Sequence, residues 1–305
     1  MAFTMHSHSG QFCPGHAKDE LEEIVERAIS LGFKTMGLTE HMPRYKLEDL
    51  YPEEMDDPAA SLAALTPRHR SYLVEALRLR EKHAARIHIL IGFESEFIRP
   101  SYAPEVLSLA SDSAVDYFIG SLHHAAGIPI DFDRETYARA RDACGGEEAL
   151  YERYYDEQYE MLRAVRPRIV GHFDLVRLMS EDPGRDVRAW EGVWSRIVRN
   201  LEEVIREGAW LECNTSALRK GLAEPYPCRA IAEKYLALGG KFTLSDDSHG
   251  ISQLATNYPP ALTYLESLGV TELWTFERIV QEDGTGVLRE KSVAISAVRE
   301  SLKVE

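Results

Sequence analysis

No apolar run in the 305-residue chain approaches the roughly 18 residues that mark a membrane-spanning helix. The N-terminus also lacks the basic region and apolar stretch of a secretory leader. Cys13, Cys144, Cys213 and Cys228 are widely scattered with no C-x-x-C pair, which argues against a disulfide framework and a cysteine-held zinc finger. These features lead us to expect a cytoplasmic protein with ordinary thiols and no membrane partner. Basic charge is scarce: 35 Lys and Arg stand against 50 Asp and Glu, a formal charge of −15. A chain that tracks a polynucleotide is more often basic, so a small molecule is expected as partner and nucleic acid is not. No Gly/Ser-rich linker, low-complexity tract or internal repeat divides the sequence. Residues 1–305 therefore read as one domain, large enough to bury a full core; oligomeric state has no sequence signal.

Short apolar, β-branched runs alternate with longer amphipathic stretches, the pattern of βα units around a parallel sheet. Seven runs read as strands: AFTM (2–5), KTMGLT (34–39), IHILIGF (87–93), DYFIGSL (116–122), RIVGH (168–172), AWLECN (209–214) and KFTLS (241–245). Helical spacing is clearest over 19–33, 67–85, 147–165, 187–208 and 228–240. A closed α/β barrel follows more naturally than an open sheet. The stretches 43–66 and 124–146 read as long loops, and 43–66 as a lid.

Chemistry-bearing residues collect where these strands end. The segment MHSHSGQFCPGH (5–16) places His6 and His8 two residues apart on a strand, so both imidazoles face one side, and His16 follows in the adjoining loop. Glu40 and His41 follow the second strand, Glu94 the third, and His123 and His124 the fourth. His172 closes the fifth strand, and Asp247 with His249 closes the seventh. In a βα barrel the C-terminal strand ends converge on the reactive face. A lone histidine at a strand end is more often structural than a ligand, but a set at coincident topological positions points to metal.

Several neighbours are weighed against this pattern. Glu94 and Glu96 share a parity and either could be a ligand; Glu94, nearer the strand end, is preferred as a carboxylate bridging two ions. Asp246 faces away from Asp247 and His249, and is expected, with Glu40 and Asp174, to orient ligands. His124 points away from His123, while His69 and His83 lie on a surface-like helix and, with His88, receive no role. Arg177 and Arg219 are expected at the same face, gripping phosphate oxygens in bidentate fashion.

With these residues assembled, the chain resembles the polymerase and histidinol phosphatase family of metal-dependent phosphoesterases, most of all its monofunctional histidinol-phosphate phosphatases. MHSHSGQFCPGH, TEHMP, IGFESEF, GSLHH with PID after it, VGHFDLVRL, LECNTSALRKG and LSDDSH carry the resemblance. It implies a distorted seven-stranded (β/α)7 TIM-like barrel holding three divalent ions, with zinc the first expectation and iron or manganese alternatives. It assigns His6, His8, Glu94 and Asp247 to one ion. Glu94 would bridge to a second completed by His123 and His172, and His16, His41 and His249 would hold the third. DDSH departs from the family's single Asp after a small residue, which leaves Asp246 and Asp247 both open as the ligand.

The implied activity is hydrolysis of histidinol phosphate by a metal-bridging hydroxide, with Glu94, Asp247 and His249 at the reacting centre. An acidic pocket wall would suit that substrate's ammonium and imidazole. The alternatives are hydrolysis of other small phosphomonoesters or nucleotides on the same scaffold, and a metal-binding accessory domain without turnover.

Overall fold

A computed structural model describes residues 1–281 and 286–302. Its strands are β1 (Ala2–Thr4), β2 (Phe33–Leu38), β3 (His88–Glu94), β4 (Tyr117–Gly120), the short pair β5 (His124–Ala125) and β6 (Ile128–Pro129), β7 (Ile169–Val170), β8 (Trp210–Asn214), β9 (Phe242–Ser245), β10 (Glu272–Val280) and β11 (Gly286–Ala294). One seven-stranded sheet runs β1-β2-β3-β4-β7-β8-β9, every neighbouring pair parallel. Beyond the strand ends its edges meet: Met5 N–H donates to the Leu244 carbonyl at 3.1 Å and His8 N–H to that of Ser248 at 2.8 Å. The sheet is thus nearly closed into a TIM-like barrel. Continuous burial of Ile89, Leu90, Ile91 and Phe93 in β3 shows why its run lacks alternation: a parallel strand is covered on both faces.

The helices are α1 (Leu21–Ser30), α2 (Pro58–Lys82), α3 (Ala103–Ala110), α4 (Arg134–Cys144), α5 (Glu147–Val165), α6 (Glu191–Arg206), α7 (Ser216–Arg219), α8 (Arg229–Ala237), α9 (Tyr258–Ser267) and α10 (Ile295–Ser301). α1 buries Leu21, Ile24, Val25 and Ala28, one helical stripe against the sheet. No helix among the described residues is long and apolar enough to cross a membrane.

Both expected long loops hold structure. In 43–66 the loop ends at Asp57, whose carboxylate accepts the Ala60 N–H at 3.1 Å, and α2 starts with Pro58 in its first turn. The helix then continues through Pro67, the residue that had suggested its beginning. In 124–146 the β5–β6 hairpin is followed by α4, capped by Asp133 and ended by Gly145 in a left-handed conformation. His69 and His83 are buried rather than on a surface: the His69 ring lies beside Tyr72 and Phe93, and His83 lies under Glu22 and Glu26.

The antiparallel β10–β11 hairpin closes the N-terminal end of the barrel. Phe276 stacks on Trp210 at 4.2 Å between ring centroids and carries the Arg168 guanidinium, while Lys241 lies over Trp274. With these strand beginnings sealed, the accessible face is the one where the strands end.

Candidate metal centre

Eight of the nine expected ligands converge at that face. Their donor atoms fall into three groups, each with all atoms within 4.8 Å of one another: His6, His8 and Asp247; Glu94, His123 and His172; and His8, His41 and His249. Glu94 lies between the first two. Its Oε2 is 3.3 Å from His6 Nε2, 3.5 Å from His8 Nε2 and 3.1 Å from His41 Nδ1. Its Oε1 is 3.3 Å from His123 Nε2 and 2.9 Å from His172 Nε2. Asp247 Oδ1 completes the first group, 3.5 Å from His8 Nε2 and 3.7 Å from His6 Nε2.

His16 is brought to the rim, its ring centroid 4.8 Å from that of His249, but its Nδ1 turns to Glu53 at 3.4 Å. Its side chain is 46% exposed, so it stands apart from the buried cluster.

Strand-end backbone aims the side chains of the cluster. His172 and Asp247 both have positive φ, 20° and 48°. For residues other than glycine such conformations cost about 1–3 kcal/mol each. Glu212 accepts the His172 N–H at 2.7 Å, and Arg219 donates to the carbonyls of Asp246 and Asp247 at 2.9 and 3.0 Å. Those bonds offset the strain and hold both turns.

Carboxylates and carbonyls also set which ring nitrogen is free. Glu212, fully buried in β8, accepts from His6 Nδ1 at 3.0 Å, leaving Nε2 toward Glu94 and Asp247. Glu96 accepts from His123 Nδ1 at 3.1 Å and lies 3.0 Å from His41 Nδ1; His249 Nδ1 donates to the Asp247 carbonyl at 3.0 Å. A bond on one imidazole nitrogen fixes the tautomer and so the nitrogen presented to a ligand. After these bonds, buried His6 Nε2, His249 Nε2 and both nitrogens of His8 have no hydrogen-bond partner.

Such orphaned donors would be costly unless a cation sat among them. The imidazoles divide: against burial that would lower them, Glu94, Glu212 and Asp247 raise His6, and Glu96 and Glu94 raise His123, well above the usual histidine range. Burial, with neighbouring imidazoles, pushes His8 down to about 3, the neutral form a metal requires. Against the burial that would raise it, His6, His123 and His41 hold the Glu94 carboxyl well below its usual range. The residue set fits divalent metal ions.

Other expected roles change. Arg177 is buried, its Nε donating to Asp174 at 2.7 Å and its Nη2 to the carbonyls of Glu224 and Pro225. Its guanidinium is held by these bonds and does not line the cleft over the cluster. Asp174 serves Arg177 and the Cys228 N–H, and Asp246 accepts from Thr4 Oγ1 and Ala255 N–H; neither touches a ligand side chain. Glu40 accepts from the Ser9 N–H and hydroxyl and lies 4.0 Å from His8 Nδ1. Burial pushes Glu40 up to about 8.

The cleft, about 320 Å³, is lined beyond the ligands by Tyr51, Asp131, Phe132, Leu175, Arg219, Lys220 and Gln253. Sequence reasoning missed Glu212, Tyr51 and Lys220. For Glu212 a signal existed: it is the charged residue of LECN, in the one strand to which no ligand-type residue was assigned.

A nearly closed parallel barrel with a buried imidazole–carboxylate cluster at its C-terminal rim defines a class, the barrel-type metal-dependent hydrolases. Within it, the PHP domain family model matches residues 4–216, and the chain belongs to that family. A Schizosaccharomyces pombe protein assigned as a histidinol-phosphatase is 39% identical over 98% of this chain and 96% of its own length. The histidinol-phosphatase of Saccharomyces cerevisiae is 32% identical over 85% and 87%. Among solved structures, a Listeria monocytogenes protein assigned as a histidinol phosphatase superposes with a TM-score of 0.71 at 26% identity, covering 85% of this chain and 99% of that one. The Lactococcus lactis histidinol phosphate phosphatase, solved with zinc, L-histidinol and phosphate, shares the fold at a TM-score of 0.66 and 20% identity, covering 90% and 97%.

Proposed function

We propose that residues 1–305 form one metal-dependent phosphoric monoester hydrolase that converts L-histidinol phosphate to L-histidinol and phosphate, a step of histidine biosynthesis. The observation that carries it is the set of buried, unpartnered imidazole nitrogens around Glu94, in a chain 39% identical over nearly its whole length to a relative assigned that activity. His6, His8, Asp247 and Glu94 Oε2 would hold one ion, and Glu94 Oε1, His123 and His172 a second. A third would lie between His41 and His249, with His8 within reach and His16 the next ring outward. An imidazole-rich set suits zinc first, and iron or manganese as well.

Four buried carboxylates, Glu94, Glu96, Glu212 and Asp247, touch the imidazoles, a concentration of negative charge that divalent ions would offset. When bound, the ions would lower the pKa of a shared water toward neutrality and supply a bridging hydroxide nucleophile.

The chain's own residues would do the rest. Glu212 and Glu96 keep the ligating nitrogens bare, and Lys220 with the Arg219 guanidinium at the rim neutralises the equatorial phosphoryl oxygens, the main demand of phosphoryl transfer. The cysteines are free, in keeping with a cytoplasmic setting.

The test is phosphate release from L-histidinol phosphate by chelator-stripped protein reloaded with zinc, manganese or iron. A His8→Ala variant and a panel of mononucleotides and aryl phosphates run alongside. We expect metal-restored turnover favouring histidinol phosphate and lost in the variant. Equal rates across the panel would remove the substrate, and zinc binding without turnover would leave a non-catalytic metal-binding domain.

A further inference from the structure

Most of the cleft's lining is already committed. The imidazoles, Glu94 and Asp247 belong to the metal cluster, Arg219 donates to two carbonyls, Tyr51 donates to Glu96 at 3.4 Å, and Gln253 accepts the His249 N–H at 2.9 Å. Among the described residues, two charged side chains that line the cleft have no hydrogen-bond or ion-pair partner, and they are of opposite sign: Asp131 and Lys220. Asp133, two residues on, caps α4 through the Thr136 N–H at 2.7 Å, so the free acid at this corner is Asp131. Phe132 beside it is 39% exposed, a large apolar ring left in solvent at the cleft.

The two free charges come from different loops. Lys220 follows α7 at the end of β8, beside Arg219. Asp131 and Phe132 follow the β5–β6 hairpin, whose outer strand ends at Pro129. A ligand spanning the cleft therefore meets a cation at one place, and a carboxylate with an aromatic face at another. That is a receptor for a bipolar molecule, anionic at the phosphoryl end and cationic and flat at the other. An ordinary phosphomonoester uses the first place alone.

We propose that Asp131 and Phe132 form the subsite that selects the amine-bearing end of the substrate, the Asp131 carboxylate pairing with the ammonium and the Phe132 ring lying against the heterocycle. This rests on the reading of histidinol phosphate as substrate and names the residues that enforce it. The ammonium–carboxylate bond is charge-assisted and the ring contact supplies dispersion and cation–π attraction. Neither residue reaches the metal ligands through a recorded bond, so their contribution is selectivity between esters.

The experiment compares kcat/KM for three esters on zinc-loaded enzyme: L-histidinol phosphate, its des-amino analogue 3-(imidazol-4-yl)propyl phosphate, and 2-aminoethyl phosphate. Wild type, Asp131→Asn, Asp131→Glu and Phe132→Ala are assayed, each with its zinc content. The preference for histidinol phosphate over the des-amino ester should fall about 10- to 100-fold in Asp131→Asn, the loss of one charged hydrogen bond, and return in part in Asp131→Glu. Phe132→Ala should lower the preference for imidazole-bearing esters over 2-aminoethyl phosphate. A wild-type preference that survives Asp131→Asn overturns the subsite and leaves the substrate reading standing. Equal loss on all three esters with loss of zinc also overturns it, since Asp131 would then be holding the site together. A wild type without any preference for the amine removes the substrate reading and the subsite with it.

Discussion

Replacing Glu212 by Gln changes one oxygen to an amide nitrogen and almost no volume, yet it should cripple metal binding. Glu212 Oε2 accepts from His6 Nδ1 at 3.0 Å and from Ser245 Oγ at 2.8 Å; Oε1 accepts from the His172 N–H and from Asn214 Nδ2, each at 2.7 Å. A glutamine carbonyl can serve only one of these sides. With the carbonyl on the Oε1 side, the amide NH2 faces His6 Nδ1, which must shed its proton to accept. The proton then sits on Nε2, the nitrogen aimed at Glu94 and Asp247, and His6 is lost as a ligand. With the amide reversed, NH2 meets the His172 N–H and the Asn214 amide. Asn214 is not free to turn, because its Oδ1 already accepts the Ser216 N–H at 2.8 Å.

Either way at least one charge-assisted bond is lost, worth about 1.5–3 kcal/mol, or roughly 10- to 100-fold in affinity. Competition against a chromophoric chelator measures the zinc affinity, and kcat at saturating zinc shows whether the loss is one of binding alone. Zinc affinity within about twofold of wild type would show that Glu212 does not set the His6 tautomer.

The remaining predictions concern groups outside the ligand set. Arg177→Met leaves Asp174 buried without its guanidinium, and breaking such a pair costs about 3–5 kcal/mol. Urea unfolding should show that loss with KM for phosphate esters unchanged, and a raised KM at full stability would restore Arg177 to phosphate binding. His69 has both ring nitrogens buried without partners, and burial pushes it down to about 4. An unfolded chain protonates histidine near pH 6.5, so below that pH the unfolded state takes up a proton the folded state refuses. The stability tied to His69 is therefore fully present above about pH 6.5 and is lost as the pH falls toward 4, by about 2 kcal/mol at pH 5. In chelator-treated protein, so that ligand protonation is common to both, His69→Phe should flatten the fall in stability from pH 7 to pH 5; parallel curves would mean that His69 does not carry this part of the fall.

What the sequence showed and what it hid divide along a physical line. A metal-ligating residue type at the end of an apolar strand is written locally, so the eight side chains that meet at the rim, His6, His8, His41, Glu94, His123, His172, Asp247 and His249, are legible one strand at a time. The α5 boundaries, Glu147–Val165, are legible too, since that helix has nineteen residues of unbroken helical spacing with Gly146 before it. The strands of the β10–β11 hairpin are longer than any barrel strand, yet they carry no buried-strand signal, because charges such as Glu277 and Arg278 in β10 and Arg289, Glu290 and Lys291 in β11 interrupt their apolar residues.

Pairing across the barrel is a different kind of fact. Arg177 and Arg219 look alike in sequence, each shortly after a strand, but Asp174 and the carbonyls of Glu224 and Pro225 hold the first away from the cleft, while the carbonyls of Asp246 and Asp247 hold the second at its rim. Glu96 has the same strand parity as Glu94, yet Glu94 lies among the imidazoles of the cluster while Glu96 lies behind His41 and His123. Parity tells which face a side chain takes; what waits on that face depends on strands far off in the chain. Glu212 combines both kinds of fact. A lone carboxylate inside a buried strand had to be partnered, which the sequence shows, but that its partner is the His6 imidazole from 206 residues away follows only from closing the barrel.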